Sequence, residues 1–318
     1  MCNQQLPVPP TISSAAKSFI ESAPPKELLP NDLTAIKSFR QELYENWRPL
    51  TEAFAKSLGC QWQDIQLAGH PVLEVTPKEY KPKTSEQALL YFYGGGFISG
   101  SPEEDLGIIA PLATHLGIQA FALRYPLSPE HPFPSAASAA IDVYSHLSTR
   151  YGAHNLAMAG ESAGGNLVLA TLSNAKVEGL AYPSSVALLS PWADLAATGD
   201  SVSVDLDPTI NLDTMCGAGA EAYADGRDLT DPEISPLYGD FDDSFPPTLI
   251  TTGTRDYLLS DCVRLAAKLR QAKVDVSLNL WEGMWHVFEY YPDIPEAAQS
   301  LEEIAAFLNK YFSKDKNP

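Results

Sequence analysis

The fold of this chain is decided by the stretch Leu156-Ala157-Met158-Ala159-Gly160-Glu161-Ser162-Ala163-Gly164-Gly165-Asn166. A short apolar run comes before a G-x-S-x-G motif, and the apolar run after the motif is typical of a helix. A serine between a strand and a helix lies on a sharp turn, with its hydroxyl pushed outward and the helix N-terminus beneath it. A Cβ at either glycine of the motif would crowd this turn. The stretch therefore predicts a strand–serine–helix unit with Ser162 as the candidate nucleophile.

Short apolar runs alternate with longer helical patterns on both sides of this unit. Such alternation predicts a mostly parallel sheet covered by helices on both faces. We predict strands at Ile65–Leu67, Val72–Val75, Ala88–Tyr93, Ile118–Leu123, Leu156–Ala159, Val186–Leu189, Thr248–Thr252 and Val274–Trp281. We predict helices within residues 11–59, one of them capped by Asn31 or Asp32, and at Ser135–Tyr151, Ala163–Lys176, Ser260–Gln271 and Glu296–Phe312.

The alternation breaks between Pro191 and Pro246, where Asp, Gly, Thr and Ala dominate and Ala218–Ala224 alone suggests a short helix. A long insertion inside a compact domain is usually functional or disordered. We interpret residues 195–235 as one part of a cap and residues 1–59 as its N-terminal helical part, although residues 1–59 fit a packing appendage equally well. The catalytic domain is then predicted to comprise residues 60–194 and 236–318.

Charge and cysteine content exclude several classes of protein. The formal net charge of −19 repels phosphate backbones and anionic membranes, so we expect no nucleic-acid partner. Neither C-x-x-C nor a zinc-binding Cys/His spacing occurs, so we expect no metal site and free thiols at Cys2, Cys60, Cys216 and Cys262. The sequence has no recognisable secretory signal and no apolar stretch long enough to span a membrane, so we expect a cytoplasmic protein.

Ser162 needs a base and an orienting acid before it can attack a carbonyl. In one common order of such triads, the acid and then the histidine follow the serine. His286 is the only histidine after Ser162, and it directly follows the last predicted strand. Asp256 follows the preceding strand and a glycine turn, which makes it the candidate acid. Its rival Asp261 lies in the next helix, where we expect a surface or capping carboxylate.

The run Tyr93-Gly94-Gly95-Gly96-Phe97 comes directly after a strand predicted to be buried on both faces. Three glycines leave backbone N–H groups unshielded, and the N–H of Ala163 adds another donor at the start of the next helix. Donors of this kind stabilise the oxyanion that develops during acyl transfer. A tight turn is the plainer interpretation, and a phosphate cradle is opposed by the acidic charge and the lack of a P-loop motif.

These motifs together resemble the hormone-sensitive-lipase-like branch of the α/β-hydrolases over about residues 60–315. The resemblance also includes Gly100-Ser101-Pro102, residues 124–134, residues 190–195, Gly253–Asp261 and Gly283–Phe288, in the family's order. It implies an α/β-hydrolase fold with an eight-stranded, mostly parallel sheet, a helical cap, ester hydrolysis without a cofactor, and pairing into a homodimer. It also implies that Gly95, Gly96 and Ala163 donate to the oxyanion.

One position departs from the family, which usually has histidine where this chain has Tyr93. A tyrosine hydroxyl can make a similar hydrogen bond with a longer reach. We therefore expect Tyr93 to hold the glycine loop and to reshape the floor of the pocket. Phe97, Trp285 and Tyr223 are further candidates for the pocket wall, although each fits an ordinary core aromatic as well.

The residues and the resemblance together predict a serine hydrolase that acts through an acyl-enzyme on small to medium esters that are short-acyl or neutral. Amide or lactone hydrolysis would use the same three side chains. A receptor-like protein that binds a small ligand without catalysis is an alternative from another class. Such a protein need not retain Ser162, Asp256 and His286 together.

Overall fold

Eight strands form one sheet in the computed structural model, which describes residues 7–23, 33–80, 86–204, 206–209 and 215–312. They are β1 (Gln61–Leu67), β2 (His70–Thr76), β3 (Ala88–Phe92), β4 (Gln119–Leu123), β5 (Leu156–Glu161), β6 (Ser185–Leu189), β7 (Thr248–Gly253) and β8 (Val276–Trp281). Their order in the sheet is β1-β2-β4-β3-β5-β6-β7-β8. β2 is antiparallel to β1 and β4, and the other pairs are parallel. The mostly parallel sheet is thus confirmed.

The central strands are buried along their whole length, whereas the two edge strands are not. Every residue of β3, β5, β6 and β7 is buried. In β1 and β8, by contrast, most residues are half-buried or exposed. A parallel sheet has helices on both faces, so its inner strands are continuous apolar runs. For this reason the sequence pattern located the inner strands within one or two residues.

Helices cover the sheet in two layers. They are α1 (Ser14–Ser22), α2 (Leu33–Ser57), α3 (Leu106–Leu116), α4 (Ser135–Tyr151), α5 (Ala163–Glu178), α6 (Ala220–Ala224), α7 (Leu259–Gln271) and α8 (Pro295–Tyr311). α3 packs against α2 and α8, and α4 packs against α5. The insertion after β6 contains a 3-10 turn at Asp200–Ser203 and a π-helical turn at Met215–Gly219 that leads into α6.

Helix α3 has no counterpart among the predicted elements. Its residues from Leu106 to Ala113 are all buried, and Pro111 lies inside it. A helix that is buried on every side has no polar face, so it shows none of the periodicity by which an amphipathic helix is recognised. It ends at Gly117, which adopts a left-handed conformation with φ 68°.

Helix α1 is attached to the far end of the chain. The backbone N–H of Ser13 and its hydroxyl donate to the two carboxylate oxygens of Glu296 at 2.6 and 2.8 Å. Ile12, Ala16 and Phe19 pack into a small apolar cluster with Trp285 and its neighbours. The N-terminal segment therefore covers the loop that follows β8.

Two of the four cysteines, Cys60 and Cys262, are buried free thiols. Cys2 lies outside the described residues, as do Asn31 and Asp32, and the side chain of Cys216 is not among those described. Over the described part of the chain, no helix combines the length and the apolar character needed to cross a membrane.

Candidate active site

The turn between β5 and α5 is strained at Ser162. This residue has φ 52° and ψ −119°, in a region that residues with a side chain rarely adopt. Its N–H donates to the carbonyl of Leu189 at 2.9 Å, and its carbonyl accepts from the N–H of Trp192 at 2.9 Å. The turn is thus fixed on both sides by the end of β6, with the first turn of α5 beneath the serine.

Glycines allow the start of α5 to lie directly against the end of β3. A Cβ at Gly164 would overlap the carbonyl oxygens of Phe92 and Tyr93, and one at Gly160 would come within 2.5 Å of the Gly164 carbonyl oxygen. A Cβ approach this short forces the backbone to move. The serine turn therefore requires these glycines for space as well as for conformation.

We expect Gly164→Ala to lower the free energy of unfolding by about 1–3 kcal/mol, because the methyl group meets backbone atoms that have no room to move. Urea denaturation measures the change. Gly217→Ala is the matched control, since an added Cβ there has no atom within 4 Å. A Gly164→Ala protein as stable as the control would contradict the packing described above.

The imidazole of His286 is hydrogen-bonded to a buried carboxylate. Its Nδ1 lies 3.1 Å from Oδ1 of Asp256, and both side chains are almost fully buried. Oδ2 of Asp256 accepts from the hydroxyl of Thr252 at 2.7 Å, and Oδ1 also accepts from the N–H of Leu258 at 2.8 Å. Burial alone would raise the pKa of Asp256, but the charge of His286 and the hydrogen bonds to the carboxylate hold it below its ordinary value. Asp256 is therefore ionised beside the ring.

Ser162 lies at the same sheet edge as this pair and is linked to it through the ends of adjacent strands, without a direct hydrogen bond between the described side chains. Ser190 follows β6, next to Ser162 in the sheet, and its N–H donates to the carbonyl of Thr251 at 2.8 Å. Its hydroxyl accepts from the N–H of Val287, the residue after His286, at 3.2 Å. Within the described ranges the Ser162 hydroxyl makes no hydrogen bond to the His286 ring. The structure thus joins two of the three predicted side chains directly and brings the third to the same sheet edge.

Three backbone N–H groups near Ser162 have no protein acceptor among the described residues. They belong to Gly95, Gly96 and Ala163. Gly95 and Gly96 have φ of 95° and 62°, which turn the loop after β3 sharply. Ala163 is the first residue of α5, where the helix dipole adds positive potential. Unpaired donors of this kind are suited to a developing oxyanion.

One buried tyrosine binds this glycine loop, and a second tyrosine stacks on the first. The hydroxyl of Tyr125 donates to the carbonyls of Tyr93 and Gly94 at 2.8 and 3.1 Å. The hydroxyl of Tyr93 donates in turn to the carbonyl of Tyr125 at 3.3 Å, and the two rings stack at 4.2 Å. Tyr93 therefore lies against the loop in a buried pair, and its effect on the pocket floor stays a prediction.

Glu161, the residue before the nucleophile, also holds the loop. Its Oε1 accepts from the N–H of Gly94, and a Cβ at Gly94 would overlap this carboxyl group. Burial and then the negative charge of Asp105 raise the pKa of Glu161 well above its ordinary value, while the hydrogen bond from Gly94 opposes the shift. Burial therefore disfavours the charged form of this carboxyl group beside the candidate oxyanion site.

Asp261, the rival acid, is not at the surface or at a helix cap as expected. It is fully buried, and its Oδ2 accepts from the N–H of Asp194 at 2.9 Å. Burial raises its pKa to about 8. The expectation is wrong because the segment after β6 folds over the first turn of α7, which the sequence pattern does not reveal.

The four aromatic residues predicted for the pocket fall into three places. Phe97 and Tyr223 stack on each other, with ring centroids 3.7 Å apart, so the insertion touches the glycine loop. Tyr93 lies beneath the loop, as described above. Trp285 instead stacks on Phe19 of α1 at 4.3 Å and is completely buried.

A cavity of about 260 Å³ adjoins the candidate acid. Its wall comes from the insertion, the loop after β7 and the start of α7, namely Asp200, Ser201, Val204, Leu206, Thr254, Arg255, Asp256, Leu259 and Ser260. None of the four predicted pocket aromatics is in this wall. Across the described ranges, no group of three or more His, Cys, Asp or Glu side chains is placed to hold a metal ion.

Sequence reasoning missed three residues that contact the site. Glu161 could have been found, because it lies inside the serine motif. Tyr125 follows β4, and the end of a parallel strand is a place to look for such contacts. Asp207, whose carboxylate accepts from the N–H of His286 at 2.7 Å, lies in the aperiodic insertion, where no sequence signal marks it.

Comparison with known proteins gives consistent similarities. A family model described as the alpha/beta hydrolase fold matches residues 89–290. An acetyl-hydrolase of Streptomyces hygroscopicus is 34% identical over 261 residues, which cover 81% of this chain and 85% of the relative.

Solved structures extend the similarity to the whole chain. The crystal structure of an esterase, E25, matches with a TM-score of 0.91 at 30% identity and covers 98% of both chains. A hormone-sensitive lipase from a metagenome library matches with a TM-score of 0.83 at 33% identity, over 94% of this chain and 96% of the other. The similarity therefore includes the N-terminal helices and the insertion as well as the motifs.

Proposed function

The chain belongs to the α/β-hydrolase family, in its hormone-sensitive-lipase-like branch, and from this premise we propose that Ser162, His286 and Asp256 form its catalytic triad. Its similarity to esterases makes it a carboxylesterase-type hydrolase. The observation that carries the proposal is the buried hydrogen bond between His286 and Asp256, at the sheet edge where the strained Ser162 turn also lies.

In the proposed reaction, Ser162 Oγ attacks the ester carbonyl while Nε2 of His286 takes its proton. Asp256 holds Nδ1 and stabilises the imidazolium that forms. Catalytic hydrogen bonds are often long before substrate binds, and we propose that the contact between Ser162 and His286 closes when an ester is present. The alcohol leaves with the proton from His286, and water then attacks the acyl-enzyme by the same route.

The oxyanion of both tetrahedral intermediates would accept hydrogen bonds from the N–H groups of Gly95, Gly96 and Ala163. Their lack of acceptors among the described residues supports this role. Loss of one such donor typically reduces transition-state stabilisation by about 2.7–4 kcal/mol. Tyr125 and Glu161 would keep the loop in place, since each binds backbone atoms of Gly94.

Residues 1–59 and 195–235 are proposed to form the two parts of a cap. Arg40 in α2 donates to the carbonyls of Ile98 and Ser128 and forms an ion pair with Glu130 at 2.8 Å. From the other part, Tyr223 stacks on Phe97. Both segments therefore contact the region of the glycine loop, which is where a cap would limit the size of a substrate.

We propose short-acyl, neutral esters as substrates. The acetyl-hydrolase relative and the closely stacked Phe97 and Tyr223 support a small acyl group, and the net charge of −19 disfavours anionic substrates. p-Nitrophenyl acetate and butyrate should be hydrolysed at least about tenfold faster, as kcat/KM, than the octanoate and palmitate, because a longer chain has to displace buried side chains.

Two further substrates test the other reactions that this site permits. An acyl p-nitroanilide and a lactone of similar size should react much more slowly than the acetate ester. A higher kcat/KM for the palmitate than for the butyrate would overturn the proposed acyl preference. A kcat/KM for the anilide equal to that for the acetate ester would favour an amidase.

Pairing of two copies into a homodimer stays a prediction. β8 is the last strand in the sheet order, and its side chains are half-buried or exposed, with Leu280 exposed by 51%. An edge of this kind can pair with a second copy of the chain.

A further inference from the structure

Asp207 connects the insertion after β6 to the loop that carries His286. Its side chain is buried, and its Oδ2 accepts from the backbone N–H of His286 at 2.7 Å. Its Oδ1 accepts from the N–H and the hydroxyl of Thr209 at 2.8 and 2.6 Å. Both carboxylate oxygens are therefore engaged, one by the insertion itself and one by the residue proposed as the catalytic base.

We propose that Asp207 is a positioning residue for His286, through which the insertion fixes the orientation of the catalytic base. The inference rests on the proposed function, because it assigns Asp207 a part in presenting the imidazole to Ser162. It also gives the insertion a role in the chemical step in addition to its proposed role in covering the site.

The backbone beside His286 needs such support. Val287 has φ 47°, a left-handed conformation that is a marked outlier for a β-branched residue. Strained conformations of this kind persist only where the surroundings fix them. Here two successive N–H groups are held by different segments of the chain, that of His286 by Asp207 and that of Val287 by the hydroxyl of Ser190.

Loss of one of these two acceptors would let the loop relax toward an unstrained conformation. The imidazole is attached to that backbone, so the ring would move relative to Ser162 even though its hydrogen bond to Asp256 could still form. A displacement of about 1 Å at a catalytic group can lower a rate by about 100-fold. The effect is therefore expected in kcat more than in KM.

The charge of Asp207 provides a second measurable effect, on the pH dependence of kcat/KM. Among the described residues, Asp256 contacts His286 at Nδ1, Asp207 contacts it at the backbone, and the ring of Tyr257 lies 4.7 Å from the imidazole. Glu289 is close enough to Asp256 to interact with it. Burial raises the pKa of Asp207, and the positive charge of His286 opposes that shift. An ionised Asp207 favours positive charge on the catalytic base, so its replacement by a neutral residue should move the rise of kcat/KM with pH to lower pH.

The test compares Asp207→Ala and Asp207→Asn in the full chain, with p-nitrophenyl butyrate as the substrate. We expect Asp207→Ala to lower kcat by about 10–100-fold with KM changed less than about threefold. Asp207→Asn keeps an oxygen acceptor and should lose less kcat than Asp207→Ala. Its rise of kcat/KM with pH should move to lower pH by about 0.5–1 unit, which a merely structural role would not cause.

Thr209→Val is the matched control, since it removes a hydroxyl bonded to Asp207 without touching His286. It should leave kcat within about threefold of wild type and the pH profile in place. If Asp207→Ala does not fold, the pH profile of Asp207→Asn still tests whether Asp207 positions His286. Wild-type kcat in a folded Asp207→Ala protein, or an unmoved profile in Asp207→Asn, would overturn the inference.

Ser162→Ala, assayed in parallel, separates this inference from the proposed function. If Ser162→Ala is inactive and the Asp207 variants behave as wild type, only the positioning role fails. If Ser162→Ala keeps its activity, the proposed function fails first. Labelling by a fluorophosphonate probe gives an independent readout, because Asp207→Ala should slow the reaction of Ser162 without abolishing it.

Discussion

Ser162→Ala is expected to lower kcat for p-nitrophenyl butyrate by about four to six orders of magnitude. The hydroxyl is the attacking atom in the proposed reaction, so its removal leaves His286 with no nucleophile to activate. The backbone N–H groups of the glycine loop and α5 remain, so a small residual rate above that in water is expected. Initial rates at saturating ester, with the variant purified free of wild-type enzyme, measure the loss.

The matched control is Ser173→Ala, which removes an exposed hydroxyl from the same helix, α5. It should leave kcat unchanged. A fluorophosphonate probe should label the wild type and the control but not Ser162→Ala. A wild-type protein that takes no label and hydrolyses none of the esters would favour the ligand-binding, non-catalytic alternative, and near-normal turnover by Ser162→Ala would remove the serine from the mechanism.

Asp256→Asn is expected to have the second largest effect, a fall in kcat of about 10⁴-fold, by analogy with the same replacement in a well-studied serine protease. An amide in this place can donate its own N–H to Nδ1 of His286, which leaves the proton on Nε2 and so removes the base. Asp256 also accepts from Thr252 and Leu258, so the amide nitrogen would have to face one of these donors. Circular dichroism should be recorded with the kinetics to separate lost chemistry from lost structure.

Asp261→Asn is the control for Asp256→Asn, because the two carboxyl groups lie close in sequence and both are buried. Burial raises the pKa of Asp261 to about 8, so this group is already mainly neutral near pH 7. An amide oxygen can still accept from the N–H of Asp194. We expect less than a tenfold change in kcat. If Asp256→Asn and Asp261→Asn lost the same amount of kcat, the assignment of Asp256 as the acid would be contradicted.

The sequence was sufficient to predict the fold and to choose the candidate triad, because the signals involved are local. The bounds of α4 match their prediction, since its small apolar residues recur with helical spacing between two clear boundaries. The serine turn was equally readable, because G-x-S-x-G joins a strand to a helix in few residues. The candidate base followed from there being only one histidine after Ser162.

Features that depend on tertiary contacts could not be predicted. α3 is buried on every side and has no polar stripe. The burial of Asp261 arises when residues 70 positions apart meet, as Arg264 and Asp194 do in their ion pair at 2.7 Å. The stacking of Trp285 on Phe19 was not predicted either, because the packing of α1 on the loop after β8 joins distant parts of the chain; a place for Trp285 in the pocket wall stays a prediction.

The bond between Ser13 and Glu296 has a consequence for synthesis on the ribosome. The two residues are 283 positions apart, and the apolar partners of α1 also lie near the end of the chain. During translation Ser13 and the apolar face of α1 are synthesised well before Glu296, which follows Ser13 by 283 positions. Nascent chains are prone to aggregate while such surfaces are exposed. The growing polypeptide must therefore keep this helix from wrong contacts until Glu296 and the apolar partners of α1 have been synthesised.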